Sequence, residues 1–299
     1  MKHYMDIERL KEKYVDGFQK GDHIIVQEKI DGANFSIRYN EETDTIDAFS
    51  RKRVLDFEEN LRGAWQWSQK LNKEIIKEVL GTNLVLFGEW LVHHTIIYPD
   101  DKYQNAYFYD VFDTESEKYL EQDKVEDIVN KLGLNYVPVF YKGEFESWEQ
   151  LKQFVGRTDL GGDNGEGIVV KNMTRLNDPN TRLPFYTKIV GDKFAEKKSV
   201  RKFDQDKLDK RVQLQAIVES IVTEGRVTKL VNKMVDDGII PEDWDEHDMA
   251  IIARNIGKEV YYDCIKEEPE TVEQVGEVFG KFAQGTAMKI VRGMLASAI

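Results

Sequence analysis

Apolar residues recur at spacings of three and four at Ile7, Leu10, Tyr14 and Phe18, which predicts an opening helix. The pattern then turns strand-like from Ile24 to Lys29 and from Asn34 to Tyr39, with Asp31-Gly32 between them as a hairpin turn signal. Further strand candidates are Thr45 to Ser50, Leu84 to Trp90, Ala106 to Phe112 and Gly167 to Lys171. Helical patterns at Phe57 to Leu80 and Lys124 to Leu132 separate them. This mixture predicts an α+β domain built on antiparallel sheets. After Lys198 the strand signals stop. Leu214, Ile217, Ile221 and Val222 lead into Val227, Leu230, Val231 and Met234. Asp245 stands as an N-cap before Ile252, Ile256, Tyr261 and Ile265, and Pro269 opens a series through Val272, Val275, Phe279 and Phe282. A small all-helical C-terminal domain is expected. The charged connector at 199–207 sets the expected domains at 1–205 and 206–299.

The 299 residues suit two domains, and 41% hydrophobic residues can fill a core. The net charge of −13 excludes a uniformly basic nucleic-acid coat but not a local basic groove. Such a groove is foreshadowed between Thr187 and Lys202, where six Lys or Arg face two acids, and at Arg51-Lys52-Arg53. Cys264 is the one cysteine, which excludes an internal disulfide framework and any multi-cysteine metal site. No segment has the apolar length of a membrane span, and Met1 to Lys13 lacks a signal-peptide core. The expectation is a cytoplasmic monomer with no membrane partner.

The first chemical signal is Glu28-Lys29-Ile30-Asp31-Gly32-Ala33-Asn34, an amine at a strand end beside a tight backbone corner. A lysine becomes a nucleophile when its surroundings favour the neutral amine. An isolated match of this kind is most often a solvated lysine. Here it is followed in order by Phe49-Ser50-Arg51, Leu86-Phe87-Gly88-Glu89-Trp90, Tyr107-Phe108-Tyr109-Asp110-Val111-Phe112, Glu166-Gly167-Ile168-Val169-Val170-Lys171 and Lys188-Ile189-Val190. Lys193-Phe194-Ala195-Glu196-Lys197-Lys198 comes next.

This ordered set resembles motifs I, Ia, III, IIIa, IV and V of the covalent nucleotidyltransferases, the polynucleotide ligases and capping enzymes, over residues 24–198. Within that superfamily it is most similar to the RNA ligase 2 family. Asn34 stands where DNA ligases and capping enzymes usually carry arginine. The C-terminal region reads as helices where those enzymes carry an OB-fold. The Lys-Phe-Ala-Glu-Lys-Lys run also matches the RNA ligase 2 continuation.

The resemblance implies an adenylyltransferase domain followed by the helical domain, and an ATP-dependent RNA ligase acting through lysyl-AMP. It implies sealing of 3′-OH and 5′-phosphate RNA ends, with nicked duplex RNA as the partner, and a Mg2+ or Mn2+ requirement. Lys29 would take AMP. Lys188 would be a second cation beside it, and Lys171 would point at the phosphates. Glu166 would help hold the metal, and Glu89 would accept from the ribose hydroxyls. Tyr109 would stack on adenine; strand alternation puts Tyr107 on its face and Phe108 on the other. Glu28 would meet the adenine amino edge, Arg51 a phosphate, and Asn34 the phosphate oxygens.

One departure concerns motif V, where the family usually has two lysines two residues apart. Here Val190 takes the second place, so either another cation replaces it or one step is weakened. The alternatives are a DNA ligase, a capping-type nucleotidyltransferase, or a non-catalytic nucleic-acid-binding relative. His93-His94 has no metal-site spacing, Cys264 sits among apolar helical positions, and Trp65, Trp67 and Trp90 read as core.

Overall fold

A computed structural model describes residues 2–10, 17–175, 177, 183–191 and 210–297. Its contacts divide the chain into two units, Met1–Gly191 and Asp192–Ile299. The expected junction at 205 and the Lys193 to Lys198 run lie outside the described residues, as does most of the basic stretch from Thr187 to Lys202.

The first unit is α+β and holds two sheets. One has the order β1-β11-β10-β2-β9, formed by β1 (Glu8–Arg9), β11 (Tyr186–Val190), β10 (Gly167–Asn172), β2 (His23–Lys29) and β9 (Val139–Glu144). The other has the order β4-β3-β5-β6-β7, from β4 (Thr45–Ser50), β3 (Ala33–Asn40), β5 (Leu84–Trp90), β6 (Ala106–Asp113) and β7 (Lys118–Tyr119). The short β8 (Asn135–Tyr136) joins it beside β6. Most pairs are antiparallel; β1 with β11 and β8 with β6 are parallel.

Alternation gives each sheet one apolar outer face. In the first, Ile24, Val26, Ile168 and Val170 pack with Phe18, Phe140 and Leu151. In the second, Phe35, Ile37, Leu86, Trp90 and Phe108 pack with Trp67 and with helices α1 (Ala64–Ser68), α2 (Lys73–Leu80) and α3 (Gln122–Lys131). α4 (Trp148–Lys152) supplies Leu151.

Three sequence expectations are corrected. Asp31-Gly32 is not a hairpin turn: β2 and β3 belong to different sheets, so the corner carries the chain from one sheet to the other. Gly32 is required there by crowding, since a Cβ would lie 2.6 Å from the Trp90 carbonyl oxygen. The opening helix is overturned at Glu8–Arg9, which form a strand; residues 11–16 lie outside the described set. Pairing overrides the periodicity here, because Leu10 N donates to the Lys188 carbonyl and the Thr187 hydroxyl donates to that of Glu8. The helix over 57–80 is two short helices. Leu61, Arg62 and Gly63 take left-handed φ ahead of the first, and Asn72 caps the second by accepting from Glu74 N and Ile75 N.

The second unit contains, among the described residues, helices α5 (Lys210–Ile221), α6 (Glu224–Asp236), α7 (Met249–Glu267), α8 (Pro269–Val275) and α9 (Phe279–Ser297). Its core includes Val218, Val227, Val231, Ile252, Ile256, Cys264, Phe279 and Val291. Thr223 caps α6, Asp245 forms a capping box in the turn before α7, and Pro269 opens α8. The buried Arg226 pairs with Asp263 at 2.9 Å and donates to the Cys264 thiol.

Candidate active site

Lys29 ends β2 on the face turned to the second sheet. The register shows this directly: Lys29 and Val190 both lie opposite Gly167, while Gln27 and Lys188 both lie opposite Val169. Directly opposed residues share a face. On that face, Gln27 bonds Gln122 and Tyr136, elements of the opposing layer. Gly167 has no room for a Cβ, which would lie 2.2 Å from the Ile189 carbonyl oxygen.

The corner after Lys29 is clamped by residues 94–98. Asp31 Oδ2 accepts from Thr95 N and Ile96 N, both at 2.8 Å, and Asp31 N donates to the Tyr98 hydroxyl at 3.1 Å. His94 Nδ1 lies 3.5 Å from Asp31 Oδ1, and Arg62 reaches His94 Nε2 at 2.9 Å. Burial alone would raise the Asp31 carboxyl. The hydrogen bond and charge of His94, with the Ile96 N–H, outweigh it and leave the group below the usual carboxylate range.

Carboxylates surround the amine. Lys29 Nζ donates to Glu166 Oε2 at 2.5 Å. Glu89, across β3 from Asn34 and across β6 from Tyr107, is pushed up to about 8, chiefly by burial. Lys29 and His94 pull it down, while Glu166 and Asp31 push it further up. Glu28 alternates away from Lys29. Its oxygens accept from the Thr158 hydroxyl at 2.6 Å and from Asp159 N at 2.9 Å. Burial raises its carboxyl, partly offset by those bonds.

β6 carries a bulge. Phe87 faces Asp110 and Gly88 faces Phe108, so Tyr109 is the extra residue. Phe108 joins the outer core, whereas Tyr109 packs edge-on against Tyr4 and accepts from Asn34 Nδ2 at 2.8 Å. Burial, helped by the charges of Asp101 and Glu28, raises the Tyr107 hydroxyl, which donates to the Lys102 carbonyl.

Lys171 is the expected site residue that the geometry sets apart from Lys29. It shares the face of Lys29 but lies four residues along the opposing strand, where Lys171 pairs with Ile25. Only 1% exposed, its Nζ donates to the Tyr109 carbonyl at 2.8 Å, Asp110 Oδ2 at 3.0 Å and Gln122 Oε1 at 3.2 Å. Three acceptors satisfy an ammonium, and through Asp110 they tie Lys171 to the second sheet. Arg51 pairs with Asp6, and its carbonyl meets His3 Nδ1 at 2.6 Å.

Sequence reading missed Asp110, Gln122, Tyr186, His94 and Thr158 as members of this centre. Asp110 stood inside a quoted motif, but the others carry no periodic or spacing signal. Among the described residues no three His, Cys, Asp or Glu gather as a metal cage. Glu166 is a hard oxygen donor suited to a cation that completes its shell with water and phosphate oxygens.

The RNA ligase family model matches residues 22–190, more than half of the chain and the whole of this centre from β2 to β11. The chain belongs to the RNA ligase family. No curated protein matches it. Solved structures similar to this family member include a mutant Naegleria gruberi RNA ligase in its apo form, at 20% identity and TM-score 0.47, over 64% of this chain and 56% of that one. A second mutant of the Naegleria gruberi RNA ligase, with ATP and Mn, is similar at 20% identity and TM-score 0.46, over 65% and 56%. The same organism's RNA ligase with PPi is similar at 19% and 0.44, over 65% and 57%. The match thus spans under two thirds of those chains. No helix among the described residues is long and apolar enough to cross a membrane.

Proposed function

We propose that this protein is an ATP-dependent RNA ligase of the RNA ligase 2 type, with Lys29 as the nucleotidyl acceptor. The observation that carries the reading is the position of Lys29: on the inter-sheet face, 2.5 Å from Glu166, in one register block with Lys188. Membership of the RNA ligase family supports it.

Lys29 sheds a proton, for which Glu166 is the nearby acceptor, and its amine attacks the α-phosphorus of ATP. A P–N bond forms, the bond to the β-phosphate oxygen breaks, and pyrophosphate leaves. The AMP passes to an RNA 5′-phosphate oxygen, freeing Lys29. A 3′-hydroxyl then attacks that 5′-phosphorus, and AMP departs as the phosphodiester forms. Each displacement at phosphorus depends on positioning and charge neutralisation. Lys188 and Arg51 serve phosphates, Glu89 the ribose, Glu28 the adenine amino edge and Asn34 the phosphate oxygens. Tyr107 and Tyr109 supply the aromatic wall. Glu166 offers an oxygen donor to Mg2+ or Mn2+, which supplies charge neutralisation on the phosphates when bound.

Asn34 and an all-helical second unit among the described residues favour RNA joining over DNA ligation or capping. The helical unit serves the nicked duplex. Incubation with labelled ATP and magnesium tests the reading: wild-type protein forms an acid-labile AMP adduct and Lys29→Ala forms none. A persistent adduct in the variant moves the nucleophile elsewhere; no adduct in the wild type favours a binding module. Nicked duplexes with each strand as RNA or DNA then define the substrate.

A further inference from the structure

We propose that Arg9 supplies the second phosphate-binding cation of this centre, the one that Val190 does not. The inference rests on the nucleotidyl-transfer reading above and names a residue that lies outside the motif block.

The cleft face of β11 carries Lys188 and Val190, so it presents a single cation. The adjoining strand β1 runs parallel to β11 with Arg9 opposite Lys188. Their side chains therefore share a face. The register continues across four strands as one row, Gln27, Val169, Lys188 and Arg9, beside the row Lys29, Gly167 and Val190. That face is the one from which Gln27 and Lys171 reach the second sheet. Arg9 thus stands about 4.8 Å to the side of Lys188, one strand spacing. Its Nε and Nη2 atoms are buried, so the guanidinium folds inward over protein and not out into solvent.

β1 holds Arg9 there through bonds on both sides. Leu10 N donates to the Lys188 carbonyl, and the Thr187 hydroxyl donates to the Glu8 carbonyl. Upstream, the Tyr4 hydroxyl donates to Asp110 at 2.5 Å and Met5 N to the Tyr119 hydroxyl at 3.0 Å. These bonds fix the Arg9 backbone beside Lys188, and a guanidinium is the side chain whose planar, paired donors suit phosphoryl oxygens; it stays charged where a lysine could lose its proton. A phosphate chain laid over Lys188 meets Arg9 next. The ligand is the phosphate chain of the nucleotide.

The test is the rate of labelled AMP transfer onto the full chain as a function of ATP concentration. Arg9→Ala should lower that rate at subsaturating ATP by about 10- to 100-fold, the range for a lost charge-assisted hydrogen bond. Arg9→Lys should retain most of it. Val190→Lys added to Arg9→Ala should recover at least tenfold of the loss, because it returns a cation to the same face. An unchanged rate in Arg9→Ala overturns the proposal. So does a loss that Val190→Lys fails to recover, which would mark Arg9 as a structural residue. Joining of pre-adenylylated RNA bypasses ATP, and a defect confined to that step overturns the assignment to the nucleotide. Lys29→Ala run in parallel separates this inference from the reading beneath it: an adduct in that variant removes the reading itself, whatever Arg9 does.

Discussion

Lys171 Nζ and Asp110 Oδ2 sit 3.0 Å apart with 1% and 0% of their side chains exposed, which makes this ion pair a rivet between the two sheets. Gln122, Tyr186 and Tyr4 complete the cluster on Asp110. Burial lowers the pKa of the ammonium, and Asp110 pushes back. The bonded cluster lies four residues along β10 from Gly167, the partner of Lys29, and holds the backbone at Tyr109.

Lys171→Met should therefore act on stability first. It strands the Asp110 carboxylate in a dry layer, a loss of about 3–5 kcal/mol in denaturant unfolding. Adding Asp110→Leu should recover part of it. A loss under about 1 kcal/mol in Lys171→Met, with adduct formation abolished, would return Lys171 to the role of a phosphate ligand.

Glu89 gives a pH signature. Its carboxyl rises from 4.5 to about 8 in the folded protein, with burial as the main cause. The folded state then holds the proton more tightly than the unfolded chain. The stability from this group is full below the unfolded value and is lost as pH rises from 4.5 through about 8. Glu89→Gln should flatten that part of the stability curve and raise the melting temperature near the alkaline end. Parallel curves for variant and wild type between about pH 5 and 9 would show that Glu89 is ionised throughout.

Gly167 separates Lys29 from Val190, and a Cβ there would lie 2.2 Å from the Ile189 carbonyl oxygen. Gly167→Ala must push β10 from β11, costing about 1–3 kcal/mol as overpacking does. Adduct formation should fall with it, because the strand bearing Lys188 moves away from Lys29. A variant with wild-type melting and labelling would show that the strands part freely.

Truncation near residue 205 should spare self-adenylylation and impair nick joining. The first unit has its own cores and holds every residue assigned to the nucleotide. Gel assays of labelled protein and of nicked duplex read the two steps separately. Equal joining by the truncated chain would remove the helical unit from RNA handling.

Local pattern sufficed where one face of an element is apolar. The strands carrying Lys29, Glu89 and Tyr109, the strand that follows Glu166, and the helical C-terminal region were legible because burial imposes a period of two or 3.6 on their residues. The ordered motifs also single out Lys29, the acceptor proposed here. Partners were not legible, because they arise between segments far apart in the chain. Asp31-Gly32 reads as a hairpin by composition, yet the next strand finds its neighbours in another sheet. Lys171 shares a motif with Glu166, yet four residues of strand carry it from the open end of the cleft into the dry layer between the sheets. Glu8–Arg9 have helical spacing around them, yet β11 offers unpaired backbone groups that a strand satisfies and a helix would leave open. The amino-acid order thus determined which residues stand at the candidate positions, through periodicity and motif spacing. Only the tertiary structure decided which of them share the inter-sheet face and which bond one another, because register and sheet pairing are set by long-range backbone hydrogen bonds that no local pattern encodes.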